Sequence, residues 1–177
     1  MAAQDIAMAL QRAAAVLARR PDLGLNEDSP ATARWHGGTR IVSSHANGTE
    51  LLTDMPTALG GSGDQVSPGW LFRAGFASCA ATGIAMAAFR QAITLKSLEV
   101  RASSRSDARG LLDMNDSNGE RVSSAPRDVA LQVRISAHGV TAERLRALVE
   151  SCVLHSPMTC TVRDAVPVAL HIDVDAD

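Results

Sequence analysis

Apolar residues recur along the chain with different periods, and these periods predict its elements. Near the N-terminus they recur at helical spacing until Pro21, which predicts an amphipathic helix within residues 1–22. Residues 31–56 contain short runs typical of strands, separated by glycine-containing turns. Because Asn-Gly favours a tight turn, the pair Asn47-Gly48 predicts a hairpin over residues 41–53.

The next segment predicts a long helix that is apolar on nearly every side. After a Gly-rich connecting loop at 59–64, Ser67-Pro68 is a strong helix start, since serine caps and proline suits the first helical position. The helix is predicted over residues 69–92, with Arg73 and Arg90 as its charged residues. A helix of this kind must be buried on all sides, which places it at the centre of the fold. Several small residues would let another backbone approach it closely: Gly75, Ala77, Ser78, Ala80, Ala81 and Gly83.

The rest of the chain mixes strands and helices. Alternation predicts strands at 95–104 and 129–138, and a polar stretch between them predicts a long exposed excursion at 107–125. Thr141 caps a second helix, Ser156-Pro157 starts a short third one, and residues 166–174 predict a final strand. With neither a repeat nor a linker, we expect a single α+β domain over residues 31–177, preceded by the N-terminal helix.

Composition and charge narrow the possible partners. The net charge is −2, and the chain has three Phe, two Trp and no Tyr. A nucleic-acid partner is therefore not expected, because both the basic patch and the stacking residues are lacking. We also expect no membrane span, since no run of 18 uncharged apolar residues occurs. Asp5 and Arg12 argue against an export signal, so a cytoplasmic protein is expected.

Three cysteines, Cys79, Cys152 and Cys160, carry the candidate chemistry. Their odd, low number does not fit a secreted disulfide framework. Cys79 falls in the middle of the apolar helix, where it is either a small core residue or a nucleophilic thiol. As a nucleophile it would need a cation from elsewhere in the fold, most naturally an arginine on the strands.

A second pattern, Cys152, His155 and Cys160, has spacing loosely compatible with three zinc ligands. A structural zinc site needs four ligands, and the sequence offers no fourth nearby. No metal and no other cofactor are predicted.

The order of several short motifs resembles the OsmC/Ohr family, the osmotically induced protein C and organic hydroperoxide resistance proteins. The motifs are Leu59-Gly60-Gly61, Gly63, Ser67-Pro68, Leu71, Ala77 and Cys79, then Leu98-Glu99-Val100, Ser106 to Gly110 and Ser156-Pro157. The similarity covers residues 31–174 and leaves the N-terminal helix outside. It implies an OsmC-like fold, in which antiparallel sheets wrap around two central helices in an intertwined homodimer.

The resemblance also implies a peroxiredoxin-like activity in the oxidative stress response. Active members reduce organic hydroperoxides: a helix cysteine attacks the O–O bond, a second cysteine in a Cys-Pro motif resolves the sulfenic acid, and an external dithiol reduces the disulfide. An arginine from the N-terminal strands, held by a glutamate, stabilises the thiolate.

Only part of this machinery carries over to the present chain. Cys79 occupies the attacking position, but Ser156 stands where the resolving cysteine is expected and Gly69 stands where the glutamate is expected. Arg34 and Arg40 both lie in the region of the arginine, and spacing does not choose between them.

Two functions from different classes follow. The first is thiol-dependent reduction of organic hydroperoxides through Cys79, either alone or with Cys160 as a displaced resolving thiol. Cys152 is a further candidate for the resolving thiol, but it is interpreted as a structural residue. The alternative is a non-catalytic OsmC-like dimer that binds a small apolar ligand or senses oxidation.

Overall fold

The computed structural model describes residues 3–175, which form five α-helices, two short 3₁₀ helices (Pro21–Gly24 and Thr57–Leu59) and five strands. The helices are α1 (Ala3–Arg19), α2 (Pro68–Arg90), α3 (Ala108–Leu111), α4 (Ala142–Leu154) and α5 (Pro157–Asp164). The strands are β1 (Thr32–Trp35), β2 (Ile41–Ser44), β3 (Glu50–Thr53), β4 (Leu95–Arg105) and β5 (Arg127–Ala137). Both sheets are antiparallel, in agreement with the expected α+β class.

The first sheet has the strand order β1-β2-β3 and contains the predicted hairpin. Strands β2 and β3 pair with Ile41 opposite Thr53 and Ser44 opposite Glu50. The connecting turn is closed by the Gly48 amide, which donates to the His45 carbonyl at 3.0 Å. Gly48 has a φ of 89°, a backbone conformation that glycine adopts without strain.

The second sheet pairs β4 with β5 and packs against α2 and α4. The buried cluster between these elements consists of Ile84, Ala88, Ile93, Leu145 and Leu148. Alternate residues of both strands pack against this cluster, as the alternation in sequence predicts. This half of the chain therefore forms a helix-on-sheet core.

Helix α2 begins where the sequence predicts, with the Ser67 side chain accepting a hydrogen bond from the Trp70 amide at 3.2 Å. Within this chain, however, it is buried along only one stripe, formed by Phe76, Ala80, Ile84 and Ala88. Trp70 and Met86 are among its exposed residues. The prediction that α2 is buried on every side is therefore wrong for a single chain, because the elements packed on it cover only part of its surface.

By length and composition alone, α2 could cross a membrane, so the absence of an uncharged run of 18 residues does not exclude a span. The core helix of a soluble protein satisfies the same criterion. The packing of β4 and α4 against α2 fits that explanation.

Two later predictions also need correction. Residues 166–174 form no strand, and Val168 is 92% exposed, because in the described residues no strand pairs with this segment. The excursion at 107–125 contains the short helix α3, whose N-cap Asp107 accepts from the Arg109 amide. Gly110 is buried within it, so the excursion is not exposed throughout.

The Gly-rich loop is tied to the first sheet through the buried carboxylate of Asp54. Asp54 accepts hydrogen bonds from the Met55 and Ser62 amides at 2.8 and 2.9 Å, and from the Ser62 hydroxyl at 2.6 Å. The Thr39 hydroxyl also donates to it. These bonds, from Ser62 first and then Thr39, hold the pKa of Asp54 well below its usual range.

We expect Gly61→Ala to lower the free energy of unfolding by about 1–3 kcal/mol, because overpacking forces the backbone to move. A Cβ at Gly61 would lie 1.8 Å from the Met55 carbonyl oxygen. Urea unfolding measures the loss, with Gly24→Ala as the control, since its added Cβ would meet only the Leu17 side chain at 3.8 Å. Equal unfolding free energies for the two variants would contradict the prediction.

Candidate functional site

Cys79 lies near the middle of α2, where the start of α5 meets this helix. Its Sγ is 3.4 Å from the Oγ of Ser156, which is only 4% exposed. Ser156 occupies the N-cap position of α5, as predicted, but its side chain makes no capping bond. Its hydroxyl faces the sulfur instead, so the residue at the family's resolving position is in contact with Cys79.

An open cavity of about 540 Å³ adjoins this contact. Its lining comes from α2 (Cys79, Gly83, Met86, Ala87, Arg90), the residue after α2 (Gln91), α4 (Leu148, Ser151, Cys152) and the α4–α5 junction (His155, Ser156, Pro157). The lining combines apolar side chains with a guanidinium group and hydroxyl groups. It therefore offers a small organic molecule both an apolar surface and hydrogen-bond donors beside a thiol.

The two candidate arginines lie outside this lining. Arg40 donates to Ser62 at 2.9 Å and to Asp64 at 2.8 Å, and its Nε lies 3.6 Å from Asp54. Arg34 has a long hydrogen bond of 3.5 Å to Ser44. Arg40 is thus the more firmly held of the two.

Asp64 holds the guanidinium group of Arg40 in place, and no sequence pattern predicted this contact. Gly69 cannot hold an arginine through its side chain, but Asp64, which precedes the Ser67 cap, forms an ion pair with Arg40. The Ser62 hydroxyl and then Arg40 lower the pKa of Asp64. The signal in the sequence was an aspartate directly after the glycines of the loop, but its partner became visible only in the tertiary structure.

Arg90 is a second residue whose role the sequence did not reveal. It belongs to the last turn of α2 and lines the cavity, whereas Arg34 and Arg40 do not. In sequence it marks only the polar end of an apolar helix.

The remaining cysteines have different surroundings. Cys152 lines the cavity together with Cys79, and burial raises the pKa of its thiol while the charge of Arg90 opposes this. The Cys160 Sγ lies 3.7 Å from the Leu154 carbonyl oxygen and 3.6 Å from the Arg163 guanidinium, and Cys160 is not in the lining.

The zinc pattern does not assemble. His155 lines the cavity with Cys152, and its Nδ1 lies 2.8 Å from the Ser151 carbonyl oxygen, whereas Cys160 has the separate contacts described above. Across residues 3–175, no group of three or more His, Cys, Asp or Glu side chains is placed to hold a metal ion.

Together, these observations define an α+β protein with a thiol site at a helix junction. A family model described as OsmC-like protein matches residues 61–171 of the 177, so the chain belongs to the OsmC-like protein family. No curated protein matches the sequence.

Solved structures agree with this assignment. An organic hydroperoxide resistance protein OsmC from Legionella pneumophila, described as a predicted redox protein, is 25% identical, with a TM-score of 0.54 over 78% of this chain and 91% of that one. A putative organic hydroperoxide resistance protein from Vibrio cholerae, with captopril in one active site, is 26% identical, with a TM-score of 0.53 over 78% and 88% of the two chains. An OsmC-like protein from Mycoplasma pneumoniae is 14% identical, with a TM-score of 0.64 over 78% and 89%, and shows the fold alone.

Ser156→Ala is expected to slow alkylation of Cys79 by iodoacetamide roughly three- to tenfold, which corresponds to the loss of one hydrogen bond of about 1 kcal/mol. The reason is that a donated hydroxyl stabilises the thiolate, which is the reactive form. The rate is measured at neutral pH with Cys152 and Cys160 replaced by serine.

Ser151→Ala is the matched control, because Ser151 lines the same cavity but the 3.4 Å contact with Cys79 belongs to Ser156. An alkylation rate that is unchanged or faster in Ser156→Ala would show that the hydroxyl does not stabilise the thiolate.

Proposed function

We propose that this protein reduces organic hydroperoxides with Cys79 as the attacking thiol and an external dithiol as the reductant. The observation that carries the proposal is the Cys79 sulfur, 3.4 Å from a buried hydroxyl and beside a cavity large enough for a small organic molecule. Family membership and the two relatives described as organic hydroperoxide resistance proteins support the same chemistry.

The first step is a two-electron transfer. The Cys79 thiolate attacks one oxygen of the O–O bond, a new S–O bond forms, and the alkoxide leaves and takes a proton to become an alcohol. Cysteine is oxidised to sulfenic acid while the hydroperoxide is reduced. Ser156 serves as the donor to the sulfur before the attack.

We further propose that the active form is a homodimer. The exposed stripe of α2 contains small and apolar residues: Gly75, Ser78, Thr82 and Met86. A Cβ added at Gly75 or Gly83 would meet no atom within 4 Å, so a second backbone has room to approach. The exposed, alternating apolar residues of 166–174 support the same conclusion, because a strand from a second copy would cover them.

In this dimer, Arg40 is our choice for the cation that stabilises the Cys79 thiolate. Asp64 and Asp54 fix its guanidinium group, whereas Arg34 has only a long bond to Ser44. Since Arg40 is outside the cavity of its own chain, it would act on Cys79 of the second copy. Residues 31–177 would form this domain in the cytoplasm, with residues 1–22 as an appended helix.

Cys79→Ser should reduce the consumption of cumene hydroperoxide in the presence of dithiothreitol by at least about 100-fold, since serine is a far weaker nucleophile at neutral pH. Peroxide is followed by a colorimetric assay, and circular dichroism checks that the variant folds. Consumption that is absent in the wild type, or equal in both proteins, would overturn the proposal and favour the non-catalytic alternative.

Thr82→Arg should convert the dimer to a monomer, because it places a charge in the exposed stripe of α2 that a second copy would cover. Light scattering after size exclusion gives the mass, for which one chain contributes 18.6 kDa. Ala147→Arg, at an exposed position of α4, is the matched control and should leave the dimer intact. A wild-type protein of monomer mass would refute the dimer directly.

A further inference from the structure

We propose that Cys152 is the second redox thiol of the site and forms a disulfide with Cys79 after Cys79 has been oxidised. This inference rests on the proposed function. Its starting point is that the two thiols line one cavity, while Cys160 does not contribute to that lining. The chain therefore retains a cysteine at its thiol site although the Cys-Pro position holds Ser156.

The packing of α4 along α2 brings the two cysteines to neighbouring levels. Ser156 contacts Cys79, and Cys152 lies four residues before Ser156, in the last turn of α4. Leu148 and Cys152 belong to the face of α4 that packs on Ile84 and Ala88. Cys79 and Cys152 thus line the same cavity from two helices that pack together.

Gly83 leaves open space in the wall of the cavity that both thiols line. It follows Cys79 by one turn of α2 and also lines the cavity, and a Cβ there would have no atom within 4 Å.

A disulfide requires Cα atoms within about 7 Å, so the last turn of α4 must shift toward Cys79. This turn is at the end of the helix, and the amides of His155 and Ser156 both donate to the Val153 carbonyl. Helix ends unfold locally at lower cost than helix centres, which makes this turn the part of α4 best suited to move.

The surroundings of the Cys152 thiol are expected to slow the resolving step. Burial raises the pKa of the Cys152 thiol, and the positive charge of Arg90 opposes this without cancelling it. The thiolate of Cys152 is therefore less favoured than that of an exposed cysteine. Formation of the Cys79–Cys152 disulfide is expected to follow the reaction with peroxide as a slower, separate step.

The resolving step conserves atoms and electrons without a further reagent. The Cys152 thiolate attacks the Cys79 sulfur, an S–S bond forms, the S–O bond of the sulfenic acid breaks, and hydroxide leaves as water after taking a proton. An external dithiol then reduces the disulfide by thiol exchange and becomes a disulfide itself. No further oxidant is needed.

The test is to treat the full-length protein with one equivalent of cumene hydroperoxide, without reductant, and to map its disulfides by mass spectrometry. Dimedone traps sulfenic acid during the time course. In the wild type, we expect a transient Cys79 adduct followed by a Cys79–Cys152 disulfide. Cys152→Ser should raise the final yield of the Cys79 adduct at least tenfold, while Cys160→Ser should still form the Cys79–Cys152 disulfide.

Circular dichroism checks that Cys152→Ser is folded. Ser156→Cys, which places a thiol at the position now 3.4 Å from the Cys79 sulfur, is the positive control for disulfide detection. If Cys79 is oxidised but remains sulfenic acid or pairs with Cys160, the role of Cys152 is refuted and the proposed function stands. If Cys79 does not react with peroxide, the proposed function fails and this inference fails with it.

Discussion

The structure depends on one constraint: the apolar surface of α2 is larger than the rest of the chain can cover. Helix α4 and the β4–β5 sheet bury the stripe from Phe76 to Ala88, and α1 and α5 contact further parts of the helix. The opposite stripe, which includes Gly75 and Thr82, stays exposed. Apolar surface left in water does not contribute the roughly 25 cal/mol per Å² of stabilisation that burial provides. The second copy that we propose would cover this stripe and add its burial to the core.

The same constraint explains why the site lies at the α2–α5 junction. A thiol in the middle of a fully covered helix would be inaccessible, and one on an uncovered helix would lack a defined environment. Cys79 is partly buried at the edge of the stripe covered by α4 and α5, where Ser156 reaches the sulfur. The loop clamped by Asp54 and Asp64 precedes the Ser67 cap, so one network fixes both Arg40 and the chain entering α2.

Sequence patterns predicted the elements whose signals are local. The Ser67-Pro68 and Ser156-Pro157 starts, the hairpin at Asn47-Gly48 and the alternating strands β4 and β5 depend on neighbouring residues, and the structure has all of them. Residues 166–174 have an equally clear alternation but form no strand, because a strand needs a partner and alternation does not supply one. The Arg40–Asp64 pair and the shared cavity of Cys79 and Cys152 join residues distant in sequence, so no local pattern contains them.

The serine at position 156 changes the chemistry of the site beyond the loss of a thiol. A cysteine at a contact of 3.4 Å would compete for the oxidised sulfur immediately, whereas a hydroxyl can only donate or accept a hydrogen bond there. The Ser156 hydroxyl contacts Cys79 and does not cap α5. The start of α5 is instead favoured by Pro157, because the proline ring fixes φ near the helical value. In the mechanism that we propose, the disulfide at Cys79 comes from Cys152 through a movement of the last turn of α4. Such a site would keep its sulfenic acid longer than one with an adjacent cysteine, which is a property shared by a slow peroxidase and a sensor of oxidation.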